Sequence, residues 1–118
     1  MDIEDFVMYC LAKPGTEETL PFDNETLVMK VKGKMFALGN IHNFISLNLK
    51  CAPDRAIELR AEYDAIEPGF HMNKKHWNTV YFGRDMKSSE IKELIDHSYE
   101  LVVQGLTKKL KEELKKES

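Results

Sequence analysis

The sequence predicts one α+β domain, a two-layer sandwich with an antiparallel sheet and helices on one face. Three observations carry this. Apolar residues recur at helical spacing near both ends of the chain, at Ile3, Phe6, Val7, Cys10 and Leu11 and again at Ile91, Leu94, Ile95, Tyr99, Val102 and Leu106. Between them lie short runs alternating at strand spacing, separated by Gly, Pro and Asn turns. The 118 residues form a single domain, long enough to bury roughly two thirds of the unfolded surface. Helices on one side of a meandering sheet are the packing that satisfies all three.

The elements follow in order. Asp2 caps the first helix, Glu4 and Asp5 suit its first turn, and Pro14-Gly15 ends it. Residues 16–25 read as a polar loop, with Leu20-Pro21-Phe22 anchoring onto the core. Leu27–Val31 and Met35–Leu38 are strands joined by a turn at Lys32-Gly33. Residues 39–43 form the next connection. Phe44–Lys50 is the third strand, with Ile45, Leu47 and Leu49 on one face and Phe44, Ser46, Asn48 and Lys50 on the other. Pro53 and Asp54 start a helix over roughly 53–64. Pro68-Gly69 breaks the chain before a strand at Trp77–Phe82. Of these residues, Val80 and Phe82 face the helices, and Trp77, Thr79 and Tyr81 share the open face. Ser88 caps the long helix, Gly105 breaks or kinks it, and the Lys/Glu-rich tail after about residue 106 is a partly frayed helical extension.

Composition excludes more than it selects. No apolar run reaches the ~18 residues of a membrane span, and the acidic start Met-Asp-Ile-Glu-Asp is unlike a signal peptide. Cys10 and Cys51 read as reduced, buried thiols, so a cytoplasmic, monomeric protein is expected. The net charge of −3 is unevenly spread. Residues 1–25 hold one lysine and seven acids, whereas residues 26–53 hold four lysines and no acid. Motifs for a phosphate loop, a nucleophile elbow, a redox pair or a zinc helix are absent, so neither enzymatic activity nor a cofactor is expected. His71 and His76 lack an obvious third ligand, so no metal site is assigned. An acidic ridge of Asp2, Glu4, Asp5, Glu17, Glu18, Asp23 and Glu25 could gather divalent ions weakly. Cys51, after Lys50 and before a helix start, could have a lowered pKa.

The stretch 68–80 concentrates the chemistry that remains. It holds the only tryptophan, two histidines, adjacent lysines and two asparagines, with no carboxylate. Lysine and asparagine donate to phosphate oxygens, and an exposed Trp77 stacks on a base. Lys32-Gly33-Lys34 forms a second basic projection. Lys34, Lys74, Lys75 and Arg84 are the expected phosphate contacts, and four such contacts imply a log–log salt slope of roughly −3 to −4. Trp77 and Asn78 either fix the loop or touch a base. A second reading is a protein-interaction module using the open face of Phe44, Ser46, Asn48, Trp77, Thr79 and Tyr81.

The sequence resembles the MmcQ/YjbR family. Carrying residues are Lys13-Pro14-Gly15, Leu20-Pro21-Phe22, Val31 through Ala37, Leu49-Lys50 before Pro53, Pro68 through Thr79, and the Ser98-Tyr99 element. They span about residues 10–105, and the long Pro-Gly to Trp-Asn motif is the specific one. The resemblance implies a frataxin-like (CyaY-like) fold and a weak DNA-binding role through two wing-like projections in a bacterial cytoplasmic protein. Carried onto this chain, its motif residues are His71, Asn73, Lys74, Lys75, His76, Trp77 and Asn78, with Lys34 beside the Gly33 turn. It also implies a frataxin-like metal role for the acidic ridge as a further possibility.

Overall fold

The computed structural model describes residues 1–117. In chain order it has α1 (Ile3–Leu11), β1 (Thr16–Thr19), β2 (Thr26–Val31), β3 (Lys34–Asn40), β4 (Ser46–Lys50), α2 (Pro53–Glu62), β5 (Ile66–Pro68), β6 (Trp77–Tyr81), α3 (Ser88–Gln104) and α4 (Lys108–Glu117). The six strands form one sheet in the order β1-β2-β3-β4-β6-β5, antiparallel throughout. Helices cover one face. There Phe6 and Cys10 of α1 meet Met29, Phe36, Leu47, Leu49 and Val80 of the sheet and Ile91, Ile95 and Val102 of α3. The expected two-layer α+β sandwich is therefore the observed architecture.

Several elements differ from expectation. Part of the predicted polar loop is β1, an edge strand whose Glu17 lies opposite Lys30. Its evidence is backbone pairing, which leaves no apolar alternation in Thr-Glu-Glu-Thr. Leu20 and Phe22 are exposed, so that segment does not anchor the core. The chain bends before β4, which turns Phe44 onto Phe6 and Phe82, with ring centroids 5.5 and 4.9 Å away, and leaves Ile45 outside. Phe44 thus leaves the predicted open face. Ile57 of α2 also faces out, while Ala56 and Leu59 are buried. Lys87, not Ser88, is the N-cap of α3, and its N–H donates to Glu90 at 2.9 Å.

The tail is helical, as expected, but docked. Gly105 ends α3, the Thr107 hydroxyl accepts the Leu110 N–H at 3.2 Å, and Leu106 and Leu114 join the core. Glu117 of α4 pairs with Lys32 at 2.5 Å. Thr107→Ala should cost about 1 kcal/mol, the usual loss on removing a helix cap, measured by urea denaturation.

One buried hydroxyl repairs a defect in the sheet. The β2·β3 register shifts between Met29 and Lys30, which face Ala37 and Met35, so Phe36 is the extra residue of a bulge. Phe36 and Ala37 both join the helix-side core. The β3·β4 ladder runs through Ala37↔Leu49 and Leu38↔Asn48. Beyond it, the fully buried Ser98 bridges the strands. Its hydroxyl donates to the Phe36 carbonyl at 2.5 Å and accepts the Lys50 N–H at 2.8 Å. Tyr99 packs edge-on against Phe36 and donates to the Pro14 carbonyl at 2.5 Å, tying α3 to the end of α1.

Candidate nucleic-acid interface

The loop between β5 and β6 is built on close backbone approach. Gly69 donates to the Trp77 carbonyl at 2.9 Å, and a Cβ at Gly69 would lie 2.9 Å from that same oxygen. The Asn73 carbonyl accepts from His76 and Trp77 at 3.3 and 3.0 Å, and the Asn73 side chain accepts the Lys75 N–H at 2.9 Å. Arg60 reaches up from α2 to clamp the loop base. It donates to the Asn78 side-chain oxygen at 2.7 Å, to the Trp77 carbonyl at 3.3 Å and to the Lys74 carbonyl. Asn78 is 2% exposed and also donates to the Ala56 carbonyl at 3.5 Å.

The fold brings the two basic segments to one end of the sheet. Lys32 (φ 49°) and Gly33 (φ 82°) both have left-handed backbone, as a type I′ hairpin turn requires, and Lys34 follows, exposed. Lys50 ends β4 opposite Trp77, the first residue of β6, and the Cys51 N–H donates to the His76 carbonyl at 2.8 Å. The start of β3 at Lys34, the end of β4 at Lys50 and the start of β6 at Trp77 all lie at this end of the sheet, with β4 between β3 and β6. Lys34, Lys74 and Lys75 are exposed, and among the described residues neither they nor Lys50 forms an ion pair. The Lys74 ammonium does donate to the Gly69 carbonyl at 3.0 Å.

Other predicted contacts fall elsewhere. Arg84 lies beyond the far end of β6, its guanidinium 4.1 Å from the Tyr81 ring centre and 3.9 Å from Asp64. Trp77 does sit on the open face, but only 9% exposed, clustered with Val28, Leu38, Met35 and Met72. It therefore cannot stack on a base, and neither can the buried Asn78 touch one. Both residues hold the loop. Thr79 of the expected interaction face is likewise buried.

What sequence reasoning missed is a groove on the open sheet face, of about 490 Å³. Phe22 from the β1–β2 loop and Phe70 from the β5–β6 loop line it, each 65% exposed. Leu38, Ile45 and Met72 line it beside polar Asn40, Asn43, Ser46 and Asn48, and a closed hydrogen-bond cycle ties Phe70 to the sheet. The Phe70 N–H donates to the Thr79 hydroxyl at 2.9 Å, Thr79 donates to the Asn48 oxygen at 2.5 Å, and the Asn48 amide donates back to the Phe70 carbonyl at 3.1 Å. His71 adopts left-handed backbone (φ 59°), a cost of about 1 kcal/mol for a non-glycine residue, and its ring lies 4.0 Å from that of Phe70. One signal was available in the sequence. Phe22 and Phe70 sit among turn residues, with no helical or strand phase to bury them.

The cysteines offer no nucleophile. Burial pushes the Cys10 thiol up to about 12, and burial also raises Cys51 despite Arg55 and Arg60, contrary to the lowered value that Lys50 suggested. Both thiols should resist an aromatic disulfide reagent at pH 8 in the native state and react only on unfolding. Fast labelling of either without denaturant would contradict this burial. Among the described residues, no three His, Cys, Asp or Glu side chains converge as metal ligands. Carboxylates of the acidic ridge serve as caps instead: Asp2 and Asp5 form a capping box, and Asp23 accepts from the Glu25 and Thr26 N–H groups. No helix among the described residues is long and apolar enough to cross a membrane.

The family model described as YjbR matches residues 11–101. The chain belongs to the YjbR family. It is 36% identical over 104 residues to the uncharacterized protein YjbR of Escherichia coli strain K12, covering 87% of this chain and 88% of that one. It is 39% identical over 100 residues to the uncharacterized protein YbdF of Escherichia coli O157:H7, covering 84% and 82%. The crystal structure of Deinococcus radiodurans protein DR2400, described as a DUF419 domain, superposes with a TM-score of 0.89 at 41% identity, covering 96% of this chain and 87% of that one. The YjbR match contains the whole Pro68–Asn78 loop and the Ser98-Tyr99 element, so the site described above lies within the family domain, and α4 lies beyond it.

Proposed function

We propose that this YjbR-family chain is a non-enzymatic protein that binds DNA weakly through the phosphate backbone. The observation carrying the reading is the meeting of Lys34, Lys50, Lys74 and Lys75, from separate basic segments, at one end of the sheet without ion-pair partners among the described residues. The exposed Lys34, Lys74 and Lys75, with the half-buried Lys50 at the end of β4, suit phosphates along a backbone, and the pinned loop limits the entropy lost on binding. Arg84 stands apart and contributes little to this cluster. The overall charge of −3 keeps the affinity low and confines attraction to the basic end.

Titration of a labelled duplex at about 50 and 200 mM salt tests this, with a log–log slope of roughly −3 to −4 expected from four phosphate contacts. Lys74→Ala/Lys75→Ala should weaken binding about tenfold and flatten the slope by about 2. Absence of binding at the lower salt, or an affinity indifferent to salt, would overturn the reading.

A further inference from the structure

We propose that the groove on the open sheet face seats unpaired bases, so that the chain prefers single-stranded nucleic acid to duplex. This rests on the DNA-binding reading and adds the form of the ligand. The first argument is continuity. The β5–β6 loop supplies one wall of the groove with Phe70, His71 and Met72, and carries Lys74 and Lys75 two and three residues farther on. The Lys74 ammonium donates to the Gly69 carbonyl at 3.0 Å, so one cation lies at the start of that wall, and the groove runs from there along the open face toward Tyr81.

The second argument is the chemistry of the lining. It contains no lysine or arginine, and its one carboxylate, Asp23, is held by backbone N–H groups that lower its pKa. A phosphate is therefore poorly matched there, whereas an uncharged, planar, hydrogen-bonding ring is well matched. Asn43 and Ser46 provide an amide and a hydroxyl, Asn40 provides its amide N–H groups while its oxygen holds the His42 and Asn43 N–H groups, and Phe22 and Phe70 provide ring faces. The volume of about 490 Å³ is in the range of small-ligand sites.

The third argument concerns Phe70 itself. A large apolar side chain at 65% exposure would ordinarily be left loose, yet its N–H and C=O are both fixed by the Thr79–Asn48 cycle, and His71 holds an unfavourable backbone conformation beside it. An exposed aromatic on a pinned backbone, with the Lys74 ammonium bonded to the adjacent Gly69 carbonyl, is the combination on which sequence-tolerant single-strand binders stack bases. Paired bases cannot enter a concave face of this kind, because only splayed bases present a free ring face.

Fluorescence anisotropy with a labelled oligothymidylate of about 16 nucleotides, and with a duplex of equal length, decides the matter at about 50 mM salt. The single strand should bind at least ~10-fold tighter, and Phe70→Ala should weaken it about tenfold while leaving the duplex unchanged. Lys74→Ala/Lys75→Ala should weaken both. Phe70 is exposed, so its variant should keep the wild-type melting temperature. Equal or tighter duplex binding, or a Phe70→Ala protein that holds the single strand as wild type does, would overturn the inference while leaving the DNA-binding reading intact. Failure of both nucleic acids to bind would remove both.

Discussion

Ser98→Ala is expected to destabilise the domain by about 3 kcal/mol and to lower the melting temperature by roughly 10–15 °C. The hydroxyl volume lost is small, so the cost does not come from a cavity. It comes from the two backbone groups left behind. The Phe36 carbonyl and the Lys50 N–H lie beyond the end of the β3·β4 ladder, where Ser98 is their shared partner, and Ser98 itself is 0% exposed. Each buried backbone group left without a partner costs about 1–3 kcal/mol. A water entering the vacated space would recover part of that, which keeps the expected loss in the lower half of the roughly 2–6 kcal/mol that two such groups imply. Urea denaturation with an unchanged m-value is the appropriate measurement. A loss under about 1 kcal/mol, no larger than that of the exposed cap variant Thr107→Ala, would show that the strands close without the serine.

Arg60→Met is expected to cost about 2–3 kcal/mol and to release the Lys74/Lys75 loop. Among the described residues, Arg60 is the one side chain that reaches three points of the loop base, at Lys74, Trp77 and Asn78. Methionine preserves much of the aliphatic packing, so the loss isolates the guanidinium. The Asn78 oxygen, in a side chain 2% exposed, then lacks its donor. Hydrogen exchange should quicken at the His76 and Trp77 amides, which hydrogen-bond to the Asn73 carbonyl, and DNA affinity should fall with the loss of loop order. Arg60→Lys should rescue little, because an ammonium cannot reproduce a planar fork donating to several oxygens. Unchanged exchange across residues 69–77 would mean that the loop holds its shape through Gly69 and Asn73 alone.

Both variants act on scaffold: one removes the Ser98 bridge, the other the guanidinium that Asn78 accepts from. Ser98 and Asn78 both lie in stretches that carry the family resemblance, and both are buried scaffold. Trp77 belongs with them. Its place on a strand was legible from alternation, and so was its sheet face, opposite Val80. Its burial was not, because Val28, Leu38, Met35 and Met72 come from three separate segments that only the folded sheet assembles around the indole. Phe22 and Phe70 make the converse case. Hydrophobicity alone assigned Phe22 to the core, but neither loop gives its phenylalanine a neighbour able to cover it.

The amino-acid order by itself determined the helices, the central strands, the Lys32-Gly33 turn and membership of the YjbR family, because periodicity, turn chemistry and a long motif are local properties. Tertiary structure alone decided β1, the bulge at Phe36 with its Ser98 bridge, the burial of Trp77, the open-face groove and the meeting of Lys34 with Lys74 and Lys75. Each of these depends on backbone groups or side chains that belong to separate elements. Their pairing is set by strand order and register, which no local pattern encodes.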